Sequence, residues 1–413
     1  MHLFFIIIAD ILQVIIFSIT IFQFIISLAG YKKGKEEDTE EKHSPEKSFA
    51  ILVAAHNEEK VIAPLLDNLN NLDYPKELYE VFVICDNCTD RTAQISIEHG
   101  VHAMERFDDV QKGKGFAVEW MLNQLWKRDR QFDAVVIFDA DNLVSGNFLH
   151  EMNNKLLNGY RVIQGYVETK NPYDSWVTLS YAISYWFMNK MWQQARQNWG
   201  MPNTLAGTGM CFDSDLLKEM GWNATSLTED VEFTARCVLK GIYPTWANDA
   251  IIYDEKPITF RSSFRQRVRW IRGHTECAMR YMKPLLSHAV RTRNFSEFDA
   301  ALYLFQPIRF LFVAAVWVMT YLQLGTPLYT HFPFLKIVPD WAWIALNIAL
   351  FLQFPLVMML EKRPLKSYWG LILFPVFQFS WFPITLIGVF TSKNKAWHHT
   401  VHTRSIRFED MKE

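Results

Sequence analysis

Cysteine is scarce in this 413-residue chain, and the net charge is close to zero. The five cysteines lie at positions 85, 88, 211, 237 and 277. Cys85 and Cys88 have the spacing of half a zinc site, but no second such pair accompanies them, so we expect reduced thiols and no structural zinc ion. A net charge of −2 gives no electrostatic reason to expect nucleic acid as a partner.

Charged residues are absent from three long apolar runs, Ile11–Gly30, Phe310–Tyr329 and Trp341–Leu360. Each is about as long as the roughly 20 residues that cross the hydrocarbon core of a bilayer as a helix. A cleaved signal peptide would begin with basic residues, whereas Asp10 precedes the first run. We therefore predict a multi-pass membrane protein.

Basic residues beside these runs predict the orientation, because Lys and Arg are retained on the cytoplasmic side. Lys32, Lys33 and Lys35 follow the first run, and Arg291 and Arg293 precede the second. Lys362, Arg363 and Lys366 follow the third run. The central domain is thus expected to face the cytoplasm from the plasma membrane, with Thr330–Asp340 as a short outer loop.

A fourth apolar stretch, Tyr368–Thr391, is harder to place. A full crossing would put the basic residues Lys393, Lys395 and Arg404 outside. Pro375 and Pro383 interrupt the stretch, and this favours a bent, re-entrant or interfacial segment over a crossing. The predicted division of the chain is 1–30 membrane helix, 31–47 charged linker, 48–290 cytoplasmic domain, 291–392 membrane or re-entrant helices and 393–413 cytoplasmic tail.

The central domain alternates strand and helix patterns. Phe49–Ala55, Val81–Cys85 and Ala134–Phe138 are short apolar runs, and each precedes a segment with helical spacing, over 58–72, 89–99 and 147–157. This alternation predicts an α/β fold with a doubly wound, mostly parallel sheet and a ligand at the carboxyl ends of its strands. Motifs around His56, Asp86 and Asp139 fall at those ends and are expected to face one cleft.

Further along, the segment Trp176–Trp199 is predicted to be a helix rich in aromatic residues. Its aromatic side chains alternate with Lys190 and Arg196, a composition that suits the membrane–water interface but equally an ordinary core helix.

Two aspartates at a strand end, Asp139 and Asp141, have the spacing to give oxygen ligands to one Mg²⁺ or Mn²⁺ ion, although they could also cap the next helix. Lys114 follows Gly113 at a predicted helix start, where it either contacts phosphate or belongs to a solvated basic turn. Glu229 and Asp230 have a spacing that by itself fits an acidic helix N-terminus.

The motif Gln266-Arg267-Val268-Arg269-Trp270 lies in a predicted helix, so Gln266, Arg269 and Trp270 share one face. A guanidinium can pair with a diphosphate and an indole offers a flat surface to a sugar, while an amphipathic helix with snorkelling arginines is the alternative.

Five signatures in this order, followed by membrane spans, carry a family resemblance. They are Ala54-Ala55-His56-Asn57-Glu58, Asp86, Asp139-Ala140-Asp141, Thr228-Glu229-Asp230 and Gln266-Arg267-Val268-Arg269-Trp270. Together they resemble membrane-embedded family 2 glycosyltransferases, the group with cellulose, chitin, hyaluronan and poly-N-acetylglucosamine synthases. The resemblance implies a GT-A-like domain and inverting transfer from a UDP-sugar to a growing β-linked polysaccharide, which then crosses the membrane.

The resemblance also implies roles for individual residues. Binding of the UDP-sugar donor is assigned to Ala54, Ala55, Glu58, Asp86, Lys114, Asp139, Gln266 and Arg269, and binding of the metal ion to Asp139 and Asp141. In catalysis, Asp230 is the expected base and Arg269 the cation for the leaving group. Acceptor binding is assigned to Thr208, Cys211, Glu229 and Trp270, and a gate over the site to Trp397, Thr400 and Arg404. Asp86 stands between Cys85 and Asn87 where the family has an Asp-Asp or Asp-Gly context, and the gating sequence differs in spacing.

Two alternatives stay open. A glycolipid-forming enzyme of the ceramide glucosyltransferase kind would share these signatures, and a nucleotide-sugar sensor or transporter would belong to another class. Aromatic residues along a route from the site into the spans would favour the polymer. The expected partners are a UDP-sugar donor, a glycan acceptor and membrane lipid, with accessory export proteins as an open addition and without nucleic acid.

Overall fold

A mixed eight-stranded sheet lies at the centre of the computed structural model, which describes residues 2–32, 34, 41–313, 315, 337–394 and 404–412. Its strands are β1 Phe49–Ala55, β2 Tyr79–Asp86, β3 His102–Arg106, β4 Ala134–Asp139, β5 Leu143–Val144, β6 Val162–Thr169, β7 Met210–Asp213 and β8 Thr245–Asp254. Their order is β3-β2-β1-β4-β7-β6-β8-β5.

The pairing pattern confirms the predicted mostly parallel sheet. β3, β2, β1 and β4 are parallel neighbours, and β6 pairs in parallel with β8. β7 runs antiparallel between β4 and β6, and the short β5 pairs antiparallel with β8. The carboxyl ends of β1, β2 and β4 therefore meet at one edge, as their apolar sequences predict.

Helices cover both faces of the sheet. In chain order they are α1 His2–Ser27, α2 Ile62–Leu69, α3 Thr92–Glu98, α4 Lys114–Leu125, α5 Phe148–Leu157, α6 Trp176–Phe187, a π-helical segment Met188–Gln194, α7 Ala195–Trp199, α8 Ser214–Met220, α9 Glu229–Leu239, α10 Phe260–Thr292, α11 Phe295–Leu304, α12 Asp340–Leu360, α13 Gly370–Phe379 and α14 Trp381–Phe390. α2 and α5 pack on one face, and α4, α8 and α9 on the other. We call residues 48–290 the sheet domain.

The segment 176–199 is helical throughout, with the π-helical turn in its middle. Tyr181 and Trp186 are buried in a cluster with residues of α12 and α13. Arg196 is also buried, in an ion pair with Asp299 at 3.2 Å. Most of this helix is therefore buried, in part against the apolar helices α12 and α13, although Trp199 at its end is exposed. This burial fits both the interfacial and the core-helix interpretation.

Three apolar helices in the described part of the chain are long enough to cross a membrane: Asp10–Tyr31, Asp340–Leu360 and Leu365–Phe390. The first and second match predicted spans, and most of the predicted span Phe310–Tyr329 lies outside the described residues. The third apolar helix consists of α13, which contains Pro375, and α14, which contains Pro383. Ser380 joins the two with φ and ψ values of −64° and −20°, so the chain keeps a helical direction between them.

Polar contacts join the ends of α1 and α12 to the sheet domain. Asn198 donates through Nδ2 to the carbonyl of Ala29 at 2.9 Å. After α12, Arg363 pairs with Glu168 on β6 at 2.8 Å and donates to the Tyr166 hydroxyl at 2.9 Å. Both helices thus end next to the sheet domain, and the cytoplasmic orientation expected from the basic residues stays a prediction.

Candidate active site

A cavity of about 1020 Å³ opens at the carboxyl edge of β1, β2 and β4 and continues beneath α10 towards α12, α13 and α14. Polar side chains surround its end at the sheet. Aromatic side chains dominate the far end, which is lined by Tyr303, Phe310, Phe354, Phe377 and Trp381. One space therefore joins the strand-end motifs to the apolar helices.

Contacts between strand ends hold Asp86 in a fixed orientation. Nδ1 of His56 lies 2.6 Å from the backbone oxygen of Asp86, so the ends of β1 and β2 are bridged. The Asp86 carboxylate pairs with Arg106 at 2.5 Å, and Arg106 is itself buried and contacts Asp108 at 3.0 Å. Arg106 thus balances the negative charge of Asp86, whose carboxylate accepts hydrogen bonds at the cavity wall. Arg106 is not among the residues expected from the sequence, although it stands at the end of the third parallel strand, opposite Asp86.

Side chains of Thr208 and Asn142 hold the turn 139–141, which carries Asp139 and Asp141. The backbone N–H of Asp139 lies 3.2 Å from Oγ1 of Thr208 and 3.1 Å from Oδ1 of Asn142, and Lys170 donates to the carbonyl of Asp141 at 3.0 Å. Asp141 is only 2% exposed, yet it lines the cavity together with Asp139. Two carboxylates at one strand end are a donor set that fits a hard divalent cation.

Lys114 is held among acidic groups at the N-terminus of α4. Its Nζ lies 2.5 Å from Oδ1 of Asp139, 2.5 Å from the carbonyl of Gly207 and 3.9 Å from Oε1 of Glu229. Burial works against the charged ammonium, but the charges of Asp139 and Glu229 outweigh it and raise the pKa of Lys114. The structure therefore places a permanent cation next to the first aspartate of the turn.

Glu229 and Asp230 begin α9 and both face the cavity. They occupy an acidic first turn, as their spacing alone suggested, but Glu229 is buried. Burial, followed by the negative charge of Glu229, raises the pKa of Asp230 to about 7. Burial likewise raises the pKa of Glu229. A carboxyl with a pKa near neutrality is suited to accept a proton.

Helix α10 brings its motif to the acidic turn through Gly273. A Cβ atom at this position would lie 2.7 Å from the backbone nitrogen of Thr228, so only glycine allows the close approach. Gln266, Arg269 and Trp270 line the cavity. Tyr181 donates to Oε1 of Gln266 at 3.2 Å, and its ring meets Trp270 edge to face at 6.2 Å.

Arg267, in the same motif, lies behind the aromatic lining of the cavity. It is fully buried, with its guanidinium 4.1 Å from the ring centroid of Phe377 and 5.0 Å from that of Trp381. It therefore fastens α10 to α13 and α14 and stays out of the cavity lining.

Neutral amide side chains, which are not among the residues expected from the sequence, hold the loop 203–209. Gln164 accepts from the N–H of Ala206 at 2.8 Å and donates to the carbonyl of Thr208 at 2.9 Å. Gln193 of the π-helical segment donates to the carbonyl of Thr204 at 2.7 Å. The loop that carries the Lys114 acceptor Gly207 is thus anchored at both ends.

The structure brings together most residues expected in the site. The cavity is lined by Ala54, Ala55, Glu58, Asp86, Lys114, Asp139, Asp141, Thr208, Glu229, Asp230, Gln266, Arg269 and Trp270. Cys211 is the exception and corrects the acceptor role expected for it, because this thiol is fully buried in the core on β7 and burial raises its pKa.

Of the expected gate, Trp397 and Thr400 lie outside the described residues. Arg404 pairs with Asp174 at 3.1 Å, and its N–H donates to Glu255 at 3.3 Å. Glu255 lines the cavity, so the tail reaches its rim. A gating role for these residues stays a prediction.

Comparison with known proteins identifies relatives of several kinds. Residues 45–273 match the family model described as glycosyltransferase like family 2. The chain is 30% identical to a beta-monoglucosyldiacylglycerol synthase from Nostoc over 59% of its length and 53% of that protein. It is 24% identical to a poly-beta-1,6-N-acetyl-D-glucosamine synthase from Staphylococcus epidermidis over 58% of its length and 57% of that protein. The chain spans a little over half the length of these curated relatives.

A solved structure shares the fold over almost the whole chain. The mannosyltransferase PcManGT from Pyrobaculum calidifontis, in complex with GDP-Man and Mn²⁺, aligns with a TM-score of 0.59 at 16% identity over 94% of this chain and 98% of that one. The family match covers more than half of the chain and coincides with the sheet domain and the motif on α10. The chain is therefore a member of glycosyltransferase family 2 with a GT-A fold.

Proposed function

We propose that the protein transfers a hexosyl group, with inversion, from a UDP-sugar to a growing β-linked glycan and passes the product across the membrane. The observation that carries this proposal is the single cavity shared by Asp139 and Asp141, the carboxyl of Asp230 and the indole of Trp270. Direct displacement needs a donor site, one base and an acceptor surface around one reacting carbon, and all three face this space.

At the donor end, Asp139 and Asp141 would hold Mg²⁺ or Mn²⁺. When bound, the ion supplies positive charge to the diphosphate as its bond to the sugar breaks. Lys114, 2.5 Å from Asp139, and Arg269, which also lines the cavity, add positive charge to the donor site. Asp86 and the end of β1 are left for the uridine, as the resemblance implies. The complex of PcManGT with GDP-Man and Mn²⁺ supports this donor chemistry.

At the acceptor end, Asp230 takes the proton from the attacking hydroxyl, and Trp270 provides the surface on which the acceptor sugar rests. The pKa of about 7 means that Asp230 is largely ionised just above neutral pH yet basic enough to accept a proton. Aromatic side chains continue from Trp270 to Trp381 and Phe354. Because sugar rings stack on aromatic faces, this route favours the polymer.

A second candidate, single addition to a lipid acceptor, is favoured by the low charge of the same route. Past Arg269, the polar lining consists of groups such as Gln306, Gln378 and Thr385, and His274 is neutral because burial lowers its pKa to about 4. An acyl chain would tolerate such walls. The similarity to a beta-monoglucosyldiacylglycerol synthase supports this candidate.

Product analysis tests both candidates. Membranes with the full chain are incubated with labelled UDP-sugars and Mn²⁺ or Mg²⁺, and the products are separated into polymer and organic-soluble glycolipid. Asp230→Asn should abolish transfer, while Asp215→Asn, on an exposed carboxylate of α8, should leave it intact. Labelled polymer supports the first candidate and labelled lipid the second. Donor binding without UDP release by the wild-type protein would indicate a sensor or transporter and refute both.

A further inference from the structure

We propose that Cys85 and Cys88 are a dithiol that a peroxide oxidises to a disulfide, with Cys88 as the attacking thiol, and that this disulfide weakens nucleotide binding at the end of β2. Asp86 stands between the two cysteines and lines the cavity. The effect on binding therefore rests on the proposed donor site, whereas formation of the disulfide does not.

The two thiols meet at the end of β2. Cys85 is paired with Ala55 in the parallel ladder of β1 and β2, and Cys88 follows in the turn after the strand. Both side chains face one apolar cluster, and their thiols are hydrogen-bonded to each other. Cys85 is fully buried and Cys88 is 9% exposed, so a small oxidant reaches Cys88 first. A pair in such contact can close to a disulfide after a small shift of the turn.

Cys88 is also the more reactive of the two thiols. Its Sγ accepts a hydrogen bond from the Cys85 thiol and, at 3.4 Å, from the N–H of Asn57. These hydrogen bonds lower the pKa of Cys88, although burial opposes them. The contact with Cys88, together with burial, raises the pKa of Cys85. Because the thiolate is the form that attacks a peroxide, Cys88 reacts first and Cys85 resolves the product.

Cys211, Cys237 and Cys277 have a different environment. Each of these thiols is fully buried, and burial raises the pKa of each. Such thiols stay protonated near neutral pH and react slowly with peroxide. Oxidation is therefore expected to be selective for the pair at the end of β2.

The reaction consumes one peroxide molecule, ROOH, and forms one disulfide. The thiolate of Cys88 attacks one peroxide oxygen, the O–O bond breaks, and ROH leaves with the proton that Cys88 released, so that Cys88 becomes a sulfenic acid. The sulfur of Cys85 then attacks Sγ of Cys88, the S–O bond breaks, and hydroxide leaves as water with the proton of Cys85. The two sulfur atoms together lose two electrons, and the peroxide gains them.

Closure of the disulfide must move the turn 86–88. An S–S bond is about 2 Å long, much shorter than a hydrogen bond between two thiols, and Cys85 is held in the ladder opposite Ala55. The movement therefore falls on Cys88. Its Sγ leaves the N–H of Asn57, now at 3.4 Å, and the carbonyl of Ala55, now at 3.6 Å.

Asp86 and Asn87 lie inside the ring that the disulfide closes. Asn87 has a positive φ of 52°, which a residue other than glycine keeps only when its surroundings hold it. Its Oδ1 accepts the N–H of Asp108 at 2.9 Å, and the backbone oxygen of Asp86 lies 2.6 Å from Nδ1 of His56. A shifted turn disturbs these contacts, so Asp86 loses its fixed orientation and the nucleotide binds less tightly.

The first experiment detects the disulfide without relying on activity. The purified full chain, in detergent, is treated with hydrogen peroxide, freed of peroxide, denatured, alkylated and digested with trypsin. The peptide 77–91, which contains both cysteines, should lose two hydrogen atoms and escape alkylation, and dithiothreitol should reverse both changes. A peptide 77–91 that is still alkylated, or equal oxidation of all five cysteines, overturns the proposal.

Two single variants separate the roles of the thiols. Cys85→Ser keeps a hydrogen-bond donor beside Cys88 but cannot form a disulfide, so the sulfenic acid on Cys88 should persist and react with dimedone. Cys88→Ser leaves only the less reactive Cys85, and its peptide should form no dimedone adduct. An adduct on Cys85 in Cys88→Ser, together with none on Cys88 in Cys85→Ser, overturns the assignment of Cys88 as the attacking thiol.

The second experiment measures the effect on the donor site. After peroxide treatment and removal of the peroxide, the Kd of UDP for the wild-type protein, with Mn²⁺ present, should rise on the order of tenfold, since a hydrogen bond of ordinary strength accounts for about that factor. Dithiothreitol should restore the original Kd. Cys88→Ser should bind UDP equally before and after treatment, which controls for oxidation of methionine.

An unchanged Kd in wild-type protein that carries the disulfide overturns the effect on binding. A rise of the same size in Cys88→Ser, or one that dithiothreitol does not reverse, overturns it as well. If the untreated protein does not bind UDP, the proposed donor site fails and the effect on binding fails with it. The state of the peptide 77–91 still decides whether the dithiol is oxidised.

Discussion

Replacing Asp230 with Asn is expected to stabilise the protein while abolishing transfer. The fold holds this carboxyl half-buried in the cavity beside Glu229, and burial followed by the charge of Glu229 raises its pKa from an ordinary 3.8 to about 7. The unfolded chain therefore releases the proton at a much lower pH than the native protein does. Above neutral pH the native state carries a buried charge that costs stability, and the neutral amide of Asn removes this cost.

The magnitude follows from the difference between the two pKa values. At about 1.4 kcal/mol for each tenfold difference in proton affinity, the rise from 3.8 to about 7 corresponds to an upper limit of about 4 kcal/mol. The carboxyl faces a cavity that water can enter and lies near cationic Lys114, so we expect about 2 kcal/mol at pH 8. The gain shrinks as the pH falls through 7 and disappears below about pH 4, where both states are protonated.

The assay is unfolding of the purified full chain, in detergent and without nucleotide, at pH 8 and at pH 4.5. The variant should unfold at a higher temperature than the wild type at pH 8, and the difference should be much smaller at pH 4.5. Asp215→Asn, on the exposed surface of α8, should change neither value. A destabilised Asp230→Asn variant, or a stabilisation independent of pH, would refute the burial argument.

The second prediction concerns the pH dependence of turnover. Below the pKa of Asp230, which is about 7, kcat/KM should fall about tenfold per pH unit. A flat profile between pH 5.5 and 8 would argue against Asp230 as the base. Glu229→Gln removes a charge that raises this pKa, so the fall should move to lower pH; movement to higher pH would contradict the assigned electrostatics. Asp141→Ala should lower UDP release on the order of 10³-fold, as chelation of divalent ions should for the wild type, and full activity in excess EDTA would exclude a metal role. Trp270→Ala should stop elongation while slow UDP release to water continues, and normal product length in folded protein would remove Trp270 from the acceptor site.

The parts of the fold that the sequence revealed are those where local pattern and burial agree. β1 and β4 are buried on both faces, so their sequences are uninterrupted apolar runs that only a central parallel strand explains. β7 has four residues, and β8 carries Asn248 and Asp249 where its register with β6 shifts. Such strands have no apolar run to recognise, because their place is decided by pairing with distant neighbours.

The residues of the site were predicted one by one through a family resemblance. The features that the resemblance did not predict correctly depend on tertiary contacts. Arg106 acquires its role only because β2 and β3 are neighbours and Asp86 needs a counter-charge. Pro383 was expected to break a helix, but it lies in the first turn of α14, where the missing N–H costs little. Cys211 stands near two glycines in sequence, yet alternation along β7 turns its thiol into the core.

The amide side chains of Gln164 and Gln193 hold the loop 203–209 without any charge, whereas charged groups line the donor end of the same site. Gln164 and Gln193 do not titrate and carry no charge that salt could screen, so their contacts with the loop do not depend on pH or ionic strength. Lys114 also donates to the carbonyl of Gly207 in this loop, but the two glutamine side chains still hold the loop when Lys114 turns from Gly207 towards a phosphate. The ion pairs of Lys114, Asp139 and Glu229 can therefore change during a reaction cycle while the loop 203–209 stays in place.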